Sequence, residues 1–124
     1  MKPLAIGLLT LALAAPAFAA GDAEKGEKVF RKCKACHAVG EGAKNKVGPA
    51  LNGIIGAPAG ANPDFKYSDA LTEMAEGGLV WDEANMAAFL TKPKEFMPKT
   101  KMSFAGLRKE DDVANVIAYL ATFN

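Results

Sequence analysis

Cys33-Lys34-Ala35-Cys36-His37 is the stretch on which the reading of this chain turns. Two thiols stand three residues apart, and an imidazole follows at once. The 124-residue sequence holds two cysteines and one histidine in all, and this cluster uses every one of them. A redox disulfide of the C-x-x-C type belongs in a βαβ setting, and no such pattern surrounds the cluster. A structural zinc site takes four ligands as a rule, and only three are on offer. A structural disulfide accounts for the two thiols but not for the residue after them.

The remaining reading is covalent haem attachment, for which C-x-x-C-H is the sequence signal. Thiols three residues apart on one turn reach the two vinyl groups along one edge of a porphyrin. The next residue then points its imidazole over the iron. Because His37 is the only histidine, two histidine ligands are excluded. The sixth ligand is a thioether, another group or nothing. Met97 and Met102 both lie in a non-helical stretch far along the chain, whereas Met74 and Met86 fall on helical apolar stripes and read as core filler. Were no side chain to bind, a five-coordinate haem with peroxidase or ligand-binding chemistry would be the enzyme alternative.

Outward from the motif the chain reads as all-α. Asp22 is placed to cap a helix running to about Cys36, with Ala23, Gly26 and Phe30 on one face. Gly26 inside it costs about 1 kcal/mol relative to Ala, which a second helix crossing closely would explain. From Gly40 to Pro63, glycines and prolines recur too often for regular structure. Val47, Leu51, Ile54 and Ile55 are interspersed, which suits a compact irregular loop packed on something apolar. Ser68 caps a short helix ending at Gly77-Gly78. Asp82 caps another that Pro93 stops. Lys94 to Gly106 is irregular, and a last helix begins near Asp111, with Val113, Val116, Ile117, Leu120 and Phe123 as its apolar stripe. Four to five helices with long loops wrapped round one haem are the expected architecture.

The first twenty residues differ from the rest. Lys2 is the only charge before Asp22, Leu4 to Ala15 is almost purely apolar, and Ala17-Phe18-Ala19 has the small-x-small pattern of a processing site. Residues 1–19 therefore read as a cleaved signal peptide. The apolar run falls short of the roughly 20 residues of a spanning helix. Residues 20–124 are left as a single monohaem domain, expected to be periplasmic, monomeric and without stable membrane insertion.

Basic and acidic residues nearly balance, 15 against 14, which with no basic-aromatic array argues against nucleic acid as a partner. Their distribution is uneven. Seven basic residues lie between Glu24 and Lys46, four lysines between Lys92 and Lys101, and six acids between Asp64 and Glu83. Such segregation steers partners rather than setting the fold. The expectation is that the lysines flank the haem edge and the acidic stretch lies away from it.

Cys33 to His37, Gly48-Pro49, Tyr67, Trp81 and Pro98-Lys99-Thr100-Lys101-Met102-Ser103-Phe104-Ala105-Gly106 stand in an order and spacing that resembles the class I c-type cytochromes, short mitochondrial-type or cytochrome c2 branch. The resemblance extends over Gly21 to Asn124. It implies the cytochrome c fold, one covalently attached haem c, and Met102 as second axial ligand beside His37, with Met97 the weaker candidate. It places the Pro49 carbonyl as acceptor for the outer N–H of His37, and Tyr67 and the Trp81 indole near a haem propionate. From the residues alone Trp81 is equally a core anchor. The resemblance also makes Gly26 and Phe30 the face on which Tyr119 packs. It implies an electron carrier rather than an enzyme, docking transiently through lysines on the cytochrome bc1 complex as donor and on a terminal oxidase or photosynthetic reaction centre as acceptor. The chain departs from the family pattern at Ala57, where an arginine is common, and at Leu71, where an asparagine is.

Overall fold

The computed structural model describes Gly7 and residues 21–124; apart from Gly7, the leader read at residues 1–19 lies outside the described residues. Among the described residues five helices follow in order: α1 Ala23–Phe30, α2 Asp69–Glu76, α3 Glu83–Thr91, α4 Pro93–Phe96 and α5 Glu110–Ala121. Among the described residues no strand forms, only an isolated bridge between Pro58 and Val80. The three N-caps read from the sequence are made. Asp22 accepts from the Lys25 amide at 3.1 Å, Ser68 from Leu71 at 3.1 Å and Asp82 from Asn85 at 2.7 Å. Each satisfies one of the amides that a helix start leaves unpaired. The last helix has no side-chain cap, and Glu110, Asp111 and Asp112 crowd its first turn, where the helix dipole favours negative charge.

Two boundaries differ from the expectation. The first helix ends at Phe30, not near Cys36. The amides of Arg31, Lys32 and Cys33 reach back only three residues, to Lys28, Val29 and Phe30, and the tightened chain continues as turns over residues 31–36. The stretch from Lys94 is not wholly irregular either. Pro93 ends α3 and then serves as the first residue of α4, where its missing N–H leaves nothing unpaired.

The helices meet through small and apolar faces. Gly26 lies where α1 crosses α5: a Cβ there would collide with the Asn115 carbonyl and press on Tyr119 Cβ. The Asp22 amide donates to Asn115 Oδ1 at 2.8 Å, and the Phe30 and Tyr119 rings pack at 5.5 Å. Phe30, Val116, Ile117 and Leu120 join Trp81, Phe89 and Met97 in one hydrophobic core. The glycine-rich loops are tied rather than loose. Gly56 and Ala57 exchange backbone hydrogen bonds with Trp81 at 2.7 and 2.8 Å, Ala59 bonds to Leu79, and Gly53 bonds to the Phe123 carbonyl.

Replacing Gly26 by Ala separates helix propensity from packing. Propensity alone would stabilise by about 1 kcal/mol. The crossing predicts a net loss of roughly 1–3 kcal/mol instead, as for an overpacked interior, read as a lower guanidinium midpoint at unchanged slope. A raised midpoint would mean that the helices do not approach as closely as described.

Candidate functional site

The turn after α1 gathers the motif by backbone bonding. The Cys33 carbonyl accepts from both the Cys36 amide at 3.1 Å and the His37 amide at 2.9 Å, so the two thiols and the imidazole belong to one tight turn. Both cysteines are free and half-buried. Burial pushes the Cys33 thiol above its usual value, the neighbouring Cys36 adds to this, and Lys32 opposes it.

His37 is oriented by Pro49. Its Nδ1 lies 2.8 Å from the Pro49 carbonyl oxygen. A carbonyl only accepts, so Nδ1 carries the proton and Nε2 is left with its lone pair. Burial pushes the imidazole below its ordinary value, and the Pro49 bond opposes this. The neutral, ligand-ready form is thereby favoured. Gly48 makes the approach possible, since a Cβ there would run into the His37 ring. The Gly48 amide donates to the Cys36 carbonyl at 2.9 Å, closing the loop onto the motif.

The remaining candidates occupy different settings. Tyr67 accepts at its hydroxyl from the Asn62 amide at 3.0 Å, which leaves its own proton free to donate. Trp81 is 4 % exposed and packs on Phe89 and Phe96 at 5.1 and 6.1 Å, so it anchors the core. The two methionines of the distal stretch separate cleanly. Met97 is 0 % exposed, buried in the core, and Met102 is half-buried on the loop beyond it. That loop turns at Pro98-Lys99, where the Thr100 amide donates to the Met97 carbonyl at 3.0 Å. Lys99 has φ +66°, the only positive value at a non-glycine among the described residues, in the turn position that ordinarily takes glycine. The loop returns through Gly106, whose φ of +115° and contact with the Thr91 carbonyl leave no room for a side chain.

Asp69 and Glu73 line a cavity of about 580 Å³ together with Met74, Pro98, Lys99 and Lys101. Two acids of the stretch from Asp64 to Glu83 thus share a cavity with the methionine loop. Lys32 and Lys34 stay exposed. Among the described residues the one ion pair is the surface contact Lys92–Glu95 at 3.7 Å.

Sequence reasoning passed over Asn45 and Asn62. Asn45 Oδ1 accepts from the Ala50 amide at 2.8 Å and from Asn62 Nδ2 at 2.9 Å. The only signal was an asparagine inside a Gly/Pro segment with no helix to cap.

Comparison with known proteins agrees with this arrangement. The cytochrome c family model matches residues 23–124. A cytochrome c2 of Rhodomicrobium vannielii is 50% identical over 124 residues, covering 98% of this chain and 97% of the relative. A cytochrome c2 of Afifella marina is 52% identical over 99 residues, 80% of each chain. The solved structure of cytochrome c2 from Rhodospirillum centenum superposes with a TM-score of 0.78 at 44% identity, over 83% of this chain and 98% of that one. On the helix order, the tight Cys33–His37 turn and these likenesses together, the chain belongs to the cytochrome c family, as a monohaem c-type electron carrier rather than an enzyme, with one covalently bound haem c.

Proposed function

We propose that this chain is a periplasmic, monomeric carrier that takes single electrons from a cytochrome bc1 complex to a terminal oxidase or photosynthetic reaction centre. Cys33 and Cys36 hold the haem covalently, and His37 and Met102 are its axial ligands. The observation that carries the reading is the hydrogen bond from His37 Nδ1 to Pro49 at 2.8 Å, which presents Nε2 as a neutral donor. The fit extends further. Both thiols are free for thioether bonds, and apolar side chains such as Leu51, Leu71, Met74 and Phe104 pack against the core while remaining only partly buried.

The haem supplies a one-electron iron couple, whose potential histidine and methionine ligation raise. The protein's part is positional. Pro49 fixes the tautomer and raises the basicity of His37. Met102 fits the ligand role better than Met97, because Met97 is enclosed by the core and its sulfur serves packing. Tyr67, with a free hydroxyl proton, and Trp81 are the propionate partners in this reading. His37 and Met102 would together hold the iron for electron transfer rather than for binding a substrate. Export follows from the leader read at residues 1–19, and among the described residues no helix is long and apolar enough to cross a membrane. Exposed Lys32, Lys34, Lys99 and Lys101 provide the docking charge.

Met102→Ala should abolish the far-red thioether-to-iron absorption band of the ferric protein and lower its midpoint potential. Met97→Ala should keep the band while losing roughly 2–5 kcal/mol of stability, as for a buried methionine. The reverse pattern would exchange the two roles.

Association with an isolated bc1 complex should slow as salt rises, since screening confines charge attraction to about 8 Å at physiological ionic strength. Lys34→Glu and Lys99→Glu should each slow it at unchanged spectrum. Glu83→Lys, in a separate groove beside α5, should do much less. Equal effects from all three, or no salt dependence, would mean that docking is chiefly apolar.

A further inference from the structure

We propose that Asn45 is a positioning residue for the axial histidine: its side-chain carbonyl holds and polarises the Pro49–Ala50 peptide that carries His37, and through Asn62 it joins that peptide to Tyr67. The inference rests on the reading of His37 as an iron ligand.

Four hydrogen bonds run in series. His37 Nδ1 donates to the Pro49 carbonyl at 2.8 Å, and the Ala50 amide of the same peptide donates to Asn45 Oδ1 at 2.8 Å. Asn62 Nδ2 donates to that oxygen at 2.9 Å, and the Asn62 amide donates to the Tyr67 hydroxyl at 3.0 Å. All four are partly buried. They link a proximal imidazole to a phenol thirty residues further along the chain.

The peptide group is one resonance-coupled unit. A hydrogen bond accepted from its N–H therefore strengthens its carbonyl as an acceptor, by an estimated 10–30% per bond. Asn45 thus acts on His37 without touching it. A stronger Nδ1–H···O bond gives the imidazole more anionic character, makes it a better donor to iron and favours the ferric state. Asn45 caps no helix, and its Oδ1 accepts two donors from two different loop segments. Aspartate at this position would keep an acceptor oxygen there and add a second, and alanine would keep none.

The test compares Asn45→Ala and Asn45→Asp in the haem-loaded protein, reading the midpoint potential, the His37 Nδ1–H resonance of the ferrous form and Ala50 amide exchange. Asn45→Ala should raise the potential, move the Nδ1–H resonance upfield and remove protection of the Ala50 amide. Asn45→Asp should keep that protection and leave the Nδ1–H resonance downfield of the wild-type position, because a carboxylate accepts more strongly. Faster Ala50 exchange in Asn45→Ala with an unmoved potential and resonance would overturn the proposal, leaving Asn45 a loop strut. Should the alanine variant not hold its fold, the aspartate variant decides alone: an unmoved or upfield resonance overturns it. The ligand reading is checked separately in the wild type, where the His37 ring protons must show the large upfield ring-current displacement of a group lying over a macrocycle. Without that displacement the assignment of His37 falls, whatever Asn45 does.

Discussion

The hydrogen bond between His37 and the Pro49 carbonyl is the constraint on which the site is built. In stability a single such bond is worth only about 0.5–1.5 kcal/mol. Its importance is directional, because an imidazole held by Nδ1 has one nitrogen left, aimed one way. Much of the loop after the motif serves that geometry. Gly48 yields the space the ring occupies, and its amide ties the loop to Cys36. Lys46 Nζ reaches the Lys34 carbonyl at 3.1 Å, and the Leu51 amide reaches Ala38 at 3.0 Å. A segment without regular structure is thereby tied at several points along its length.

How far the sequence could be read depended on the range of the interaction. Caps at Asp22, Ser68 and Asp82 are decided within three residues, and all three were legible. The crossing at Gly26 was legible because a glycine inside a helix needs a reason from outside it. The end of the first helix was not. Arg31, Lys32 and Cys33 are acceptable helix formers, and nothing local tells whether their amides reach three residues back or four. The four residues of α4 are too few to show a period. That Asp69 and Glu73 line one cavity with Lys99 and Lys101 is a tertiary fact, which charge counted along the chain does not show. Asn45 and Asn62, seventeen residues apart, were invisible for the same reason. The motif itself was legible because its chemistry is contained in five consecutive residues.

The methionine loop combines two demands. Its ends are pinned, at Met97 by burial and at Gly106 by the close approach to Thr91. Its turn, however, places Lys99 in the left-handed region, where a non-glycine residue costs of order 1–3 kcal/mol. A glycine would remove that strain and also the charge. Lys99 and Lys101 line a cavity together with Asp69 and Glu73.

The account stands on covalent capture of one haem by Cys33 and Cys36. Its most direct test is mass spectrometry of the protein purified from the periplasm under denaturing conditions, followed by fragmentation. The account predicts a chain beginning at Ala20 that carries the added mass of one haem, with that mass confined to the fragment containing Cys33 through His37. A chain of unmodified mass whose two cysteines are both alkylated, or joined as a disulfide, would contradict it.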